Sequence, residues 1–129
     1  MRIAIAAAII EEKRILLVNK RGIWILPGGK IENGESDLEC VCREVREELS
    51  RTQLKNIIYY GEFEGETPHT KETIRVRVYH ADIDEELGDA SADSEISDRE
   101  FTRNPENYNL SDITLEIVQS LRRDGCLQY

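Results

Sequence analysis

The chain is poor in the residues that usually build covalent or histidine-based frameworks. Of its 129 residues, three are cysteine, two histidine and three proline. An odd number of thiols argues against a disulfide framework. Cys40 and Cys42, two apart in a helical stretch, point in different directions and cannot easily bridge, so Cys40, Cys42 and Cys126 read as packing or surface groups in a reducing cytoplasm. His69 and His80 have no partner at ligand spacing, which leaves neither as a catalytic candidate. The run of ~20 apolar residues needed for a membrane span is also missing. The candidate targeting segment, "IAIAAAII" from Ile3 to Ile10, is followed by "EEKR" rather than a cleavage site and reads as a buried strand. Basic residues are outnumbered, 17 against 26 acidic, for a net charge of −9. With no basic stripe, a long nucleic-acid backbone is repelled. A small phosphate-bearing molecule stays compatible if its site supplies positive charge.

What is present fits one soluble globular domain over residues 1–129: 40% hydrophobic, 33% charged, and without repeats or low-complexity tracts. "IAIAAAII" and "RILLVNK" (14–20) predict a hairpin of two buried strands. "GIWILPGG" predicts a third short strand, broken by Pro27 and the two glycines. Ser36 and Glu39 form a capping-box pattern that starts a helix, with Leu38, Val41, Val45 and Leu49 inward at helical spacing. Residues 54–63 and 72–83 read as strands, the second alternating Ile74, Val76, Val78 against Arg75, Arg77, Tyr79. An acidic loop lies between Asp82 and Glu100. Its "DIDEELG" is similar to a calcium loop, but the glycine is one place late and no Glu holds the twelfth position, so an EF-hand is not expected. "REFT" predicts a last short strand. "LSDITLEIVQSLRRDG" predicts a helix with Leu110, Ile113, Ile117 and Leu121 inward, Ser111 as cap and Gly125 as stop. Trp24 reads as a packing residue, while Tyr79, Phe101 and Tyr108 are candidates for stacking or packing.

One stretch resists a purely structural explanation. "REVREELS" (43–50) places Glu44, Glu47 and Glu48 within a turn and a half of one helix. Such like-charge neighbours cost roughly 0.2–0.5 kcal/mol per pair, and they stand near the helix C-terminus, where the macrodipole favours cations. On a helical wheel the three adjoin the apolar stripe, at the rim of the buried interface. A divalent cation would relieve the repulsion. Magnesium is usually held by one or two carboxylates together with water and substrate phosphates.

The segment from Gly29 to Arg51, "GKIENGESDLECVCREVREELSR", closely resembles the Nudix box. The matching positions are Gly29, Glu35, Arg43, Glu44, Val45, Glu47 and Glu48, and "WILPGGK" is similar to the lead-in of small MutT-type members. The resemblance covers 23 of 129 residues. It implies an α/β fold, an α/β/α sandwich with a mixed central sheet, and hydrolysis of a nucleoside diphosphate linked to another moiety. It further implies Mg2+, with Mn2+ as an alternative, held by Glu44, Glu47, Glu48 and the Gly29 carbonyl. Arg43 would orient Glu47, while Gly28 and Glu35 would be structural in the motif. Glu44 is the first choice of general base and Glu95, in the acidic loop, the second. Lys30, Arg75 and Arg77 are candidate substrate-binding residues. The favoured substrate is a nucleoside triphosphate, including oxidised ones, with ADP-ribose or another nucleotide sugar as the alternative. A non-catalytic nucleotide-sensing module is the alternative of another class. The expected partner is a small nucleotide, with no long nucleic acid and no membrane, and the assembly a monomer or homodimer. One departure from the pattern concerns Ser50, where the family has glycine. A left-handed helix stop there would cost a non-glycine residue ~1 kcal/mol or more.

Overall fold

A computed structural model describes residues 1–127; residues 128–129 of the expected domain lie outside the described residues. The elements in chain order are β1 (Arg2–Glu11), β2 (Arg14–Lys20), β3 (Ile23–Ile25), β4 (Gly28–Lys30), α1 (Asp37–Glu48), β5 (Gln53–Glu66), β6 (Thr73–Asp84), β7 (Ile96–Thr102), a 3-10 turn (Pro105–Asn107) and α2 (Asp112–Arg123). The strands join in the order β3-β2-β1-β6-β5, with β4 also on β1 and β7 also on β2. β1 runs parallel to β6 and antiparallel to its other partners, so the sheet is mixed.

Strand alternation sends neighbouring residues of β1 into two different layers. Ile5, Ala7 and Ile9 pack with Cys40, Val41 and Val45 of α1 and with Leu49 just past its end. Ala4, Ala6 and Ala8 face Ile113, Ile117, Val118 and Leu121 of α2. This is the α/β/α sandwich that the sequence predicts. Among the described residues no helix is long and apolar enough to cross a membrane.

Several boundaries differ from expectation. The β1–β2 hairpin is paired only at Ile10↔Ile15 and Glu11↔Arg14, after which β2 turns away to pair with β3 and β7. Gly28 and Gly29 do not break the regular structure: they form β4, because Gly28 can lie against β1 where any Cβ would stand 2.1 Å from the Ile5 carbonyl oxygen. β7 begins at Ile96, well before "REFT". Leu38 falls on the inward stripe by angle but is 48% exposed, since it sits in the first turn and joins neither core; Cys40 is buried in its stead. α2 matches its prediction, with the Ser111 hydroxyl accepting from the Thr114 N–H and Gly125 at positive φ.

The end of α1 settles the Ser50 question. Leu49 is the C-cap and the left-handed residue is Arg51, at φ 59°, so Ser50 avoids that conformation. The Ser50 N–H donates to the Asp89 carbonyl, and Gly88 lies so close that a Cβ there would reach the Ser50 carbonyl.

Candidate active site

The loop and helix that carry the acidic residues are built around one guanidinium. α1 starts with the full capping box: the Ser36 hydroxyl accepts from the Glu39 N–H, and the Glu39 carboxylate accepts from the Ser36 N–H at 2.9 Å. Glu39 is therefore engaged at the cap and does not pair with Arg43, one helical turn on. Arg43 instead forks onto Glu35, Nε to Oε2 at 2.6 Å and Nη2 to Oε1 at 3.0 Å. It also donates to the Lys30 carbonyl and to Glu44 Oε1 at 2.9 Å, and more weakly to Glu47 at 3.3–3.4 Å. Two charge-assisted bonds in one plane fix Glu35 firmly. The Arg43 bond, with the Glu32 N–H, holds the Glu35 carboxyl down to about 2. Arg43 thus ties the loop to the helix first, and reaches Glu47 second.

The C-terminal end of α1 has the opposite character. Glu48 is only 8% exposed, and the only hydrogen bond to its carboxylate among the described residues comes from the Gly28 N–H at 2.9 Å. Burial pushes it up to about 8, against the Gly28 bond; neighbouring Glu44 adds to the rise. Glu44 is also raised, again by burial first, with Arg43 opposing. Gly29 lets that carboxylate lie flat on β4, since a Cβ would stand 2.4 Å from the Glu44 Cδ. The Gly29 carbonyl accepts from Cys40 Sγ at 3.6 Å. Glu47 is more exposed, beyond Arg43.

These carboxylates open onto a cleft of about 1040 Å³ that runs from α1 across β4 and β1 to α2. Gly28, Gly29, Lys30, Glu44, Glu47, Glu48 and Glu95 all line it. Glu95 arrives paired: Arg21 Nη2 lies 2.5 Å from one oxygen and Lys20 Nζ 3.4 Å from the other. Lys20, then Arg21, hold that carboxyl below its usual range. Arg75 and Arg77 lie outside the cleft. Arg77 binds Asp37 at 2.9 Å and Glu62 at 3.2 Å, and Arg75 faces Glu62 and Glu64. The strand alternation that puts Val76 on the cleft side necessarily puts these arginines on the other. Tyr79 is used there too, donating to Asp37 at 2.6 Å. Trp24 packs edge-on against Tyr108, ring centroids 5.1 Å apart, and both lie against the α2-side core.

Sequence reasoning did not single out Lys20, Arg21, Arg46, Ser111 and Thr114 as cleft residues. A basic pair ending a buried strand was a readable signal for Lys20 and Arg21. Nothing local marks Ser111 beyond its role as a cap.

The donor set suits a hard divalent cation. Glu44 and Glu48 are carboxylates held in low-dielectric surroundings, adjacent along a Gly-Gly strand, and among the described residues Glu48 has no cationic partner within salt-bridge distance. Among the described residues no three His, Cys, Asp or Glu side chains converge closely enough to hold an ion alone.

The fold, the clasped loop and the acidic helix end define a Nudix hydrolase, and the NUDIX domain model matches residues 1–120: the chain belongs to the NUDIX family and so to the pyrophosphohydrolases. It is 31% identical over 120 residues to the nucleoside triphosphatase NudI of Salmonella arizonae, covering 82% of this chain and 79% of that protein. A second relative, the Nudix hydrolase YvcI of Bacillus subtilis, is 42% identical over 55 residues, 38% of this chain and 35% of its own length. The Nudix hydrolase structure from Nitrosomonas europaea superposes with a TM-score of 0.79 at 20% identity, covering 99% of this chain and 96% of that one, a likeness of fold. Enzymes of this family act on small nucleotide compounds and generally use divalent metal ions.

Proposed function

We propose that this chain is a magnesium-dependent nucleoside triphosphate pyrophosphohydrolase, a single domain working in the cytoplasm. The observation that carries the reading is the buried Glu48 carboxylate, without a cationic partner among the described residues and beside a half-buried Glu44 at the wall of a nucleotide-sized cleft. The identity to a protein named as a nucleoside triphosphatase favours triphosphates over nucleotide sugars.

In this reading Glu44, Glu47, Glu48 and the Gly29 carbonyl would hold the cation together with water and substrate phosphate. When bound, it supplies neutralisation of phosphate charge and a lower pKa for the attacking water. Glu44 would accept a proton from the attacking water, for which a carboxylate raised by burial is better suited than one held low by two cations. Glu95 serves instead as counter-ion to Lys20 and Arg21, keeping that pair extended along the cleft until phosphate oxygens replace it. Lys30 is a further phosphate contact, whereas Arg75 and Arg77 belong to the scaffold. Arg43 positions Glu44 and Glu47 by its remaining bonds.

The test is a substrate panel of nucleoside triphosphates, oxidised triphosphates, ADP-ribose and other nucleotide sugars, with Mg2+ or Mn2+, products separated by chromatography. The expected outcome is metal-dependent release of a nucleoside monophosphate from a triphosphate, lost in Glu48→Gln. Preferential cleavage of a nucleotide sugar would overturn the substrate assignment. Absence of any turnover with metal binding intact would favour the sensing module.

A further inference from the structure

His69 has no partner at ligand spacing in the sequence, yet the fold carries it to the cleft. It stands on the connection between β5 and β6, where Thr67, Pro68, His69 and Thr70 line the cleft together with Arg2 and Ile74. Among the described residues the lining contains no Phe, Tyr or Trp, so the His69 imidazole is its only aromatic ring. That ring is exposed, and no hydrogen bond, ion pair or ring contact holds it among the described residues. Neither the core nor the scaffold of ion pairs uses this side chain.

The turn that carries it is nonetheless fixed. The Thr67 N–H donates to the Glu72 carbonyl at 2.9 Å, the Lys71 N–H to the Thr67 carbonyl at 3.0 Å, and the Glu72 N–H to the Thr67 hydroxyl at 3.2 Å. The Thr67 and Thr70 hydroxyls share a further hydrogen bond. Lys71 closes the turn in the left-handed region, at φ 59°. Arg2 of β1 ties it down through Glu72, Nε to Oε2 at 2.8 Å. Just before the turn, Gly65 brings β5 close to α2, where a Cβ would stand 3.3 Å from Ile113. His69 is thus mounted on a clamped turn rather than on a free loop.

Strand register gives its distance from the acidic end. Gly28, whose N–H binds Glu48, lies beside Ala6, whereas the turn stands at the level of Arg2, which pairs with Ile74 at the start of β6. From Ala6 to Arg2 the rise of a strand covers ~13 Å. With phosphates at the acidic end, the sugar fills that span and the base reaches the turn.

Resting on the triphosphatase reading for the phosphate end, we infer that the His69 ring covers a face of the nucleotide's base, which makes His69 a specificity-determining residue separating nucleotides from base-free phosphate esters. A ring on one side suits every base, because every base presents a π-face. The contact adds affinity and leaves discrimination among bases to other groups.

Guanosine monophosphate and ribose 5-phosphate probe this directly, since they share sugar and phosphate and only the first carries a base. In calorimetric titrations with Mg2+ present, His69→Ala is expected to weaken the nucleotide about tenfold, the scale of one base–ring contact, and ribose 5-phosphate less than about twofold. His69→Phe keeps a ring and should retain the affinity of the wild type for the nucleotide. Adenosine and cytidine monophosphates should repeat the pattern. In steady-state assays of a triphosphate that the wild type cleaves, His69→Ala should raise KM about tenfold and change kcat far less. Equal losses for nucleotide and ribose 5-phosphate, unaltered nucleotide binding in His69→Ala, or His69→Phe binding as weakly as His69→Ala would overturn the inference. The predicted binding pattern without turnover of any nucleotide would overturn the hydrolase reading alone, and triphosphate turnover with that pattern absent would overturn this inference alone.

Discussion

The two ends of the box segment are equally acidic and yet treated oppositely. At its start, Glu35 is clasped by Arg43 through two short bonds and a loop N–H, and its charge is satisfied within the chain. At its end, Glu48 is buried with one backbone N–H, and Glu44 shares Arg43 with three other carboxylates. Burying a carboxylate without a cation is expensive. The difference separates charges that hold the fold together from charges whose partner must come from outside the chain.

The largest effect expected on breaking this contrast is at Glu48. Glu48→Gln should lower turnover on the order of 10³-fold, the scale of removing a group that stabilises transition-state charge. It should also alter stability in the opposite sense. With its folded value raised to about 8 from an ordinary 4.5, the native state of the metal-free protein holds the proton longer than the unfolded chain. Stability should therefore fall as pH rises from about 4.5 to 8. Thermal unfolding of metal-stripped protein from pH 5 to pH 9 should show a steeper decline in the wild type than in Glu48→Gln, where only the raised Glu44 still contributes, leaving the variant the more stable at the alkaline end. Next in size, Glu44→Gln should cost about 10²- to 10³-fold in kcat, the usual scale for a proton-accepting group, with KM little changed in steady-state assays.

At the clasped end the effects are smaller and structural. Arg43→Lys keeps the charge but loses the planar fork. Turnover should drop about 10- to 100-fold through misplaced Glu44 and Glu47, and Tm by a few degrees, read by calorimetry at pH 7. The pH dependence of Glu35 is the reverse of that of Glu48. Its folded value of about 2 lies below the ordinary 4.5, so its contribution is present above 4.5 and is lost as pH falls toward 2. Acid unfolding curves should flatten over that window in Glu35→Gln. Smallest of all, Arg51→Gly should stabilise by roughly 0.5–1 kcal/mol by relieving a left-handed residue. Ser50→Gly should bring no such gain in denaturant titrations, although Ser50 occupies the motif's glycine position.

Much of this arrangement was legible before any coordinates. The alternation of β6 and the caps of both helices follow from local periodicity, and all are present. What was not legible depended on long-range pairing. Gly28 and Gly29 read as a break because glycine is weak in strands, yet both pair with β1, Gly28 where a Cβ would meet the Ile5 carbonyl and Gly29 where it would meet the Glu44 carboxylate. Arg75 and Arg77 were candidates for a substrate face because alternation tells which residues share a side, not which side is the cleft. Glu95 lines the cleft, but its two cationic partners come from β2 and the turn after it, 75 and 74 residues earlier in the chain. The α2 side of the cleft is invisible for the same reason: Ala4, Val76 and Thr114 meet only in three dimensions.

The central claim is that the helix end with the unpaired carboxylate, and not the clasp, takes the cation. Direct binding of Mn2+ followed by electron paramagnetic resonance, in wild type, Glu48→Gln and Glu35→Gln at neutral pH without nucleotide, tests it most directly. The account predicts that Glu48→Gln weakens binding about 10- to 100-fold and that Glu35→Gln weakens it far less. Equal binding by wild type and Glu48→Gln, or a greater loss at Glu35, would contradict it.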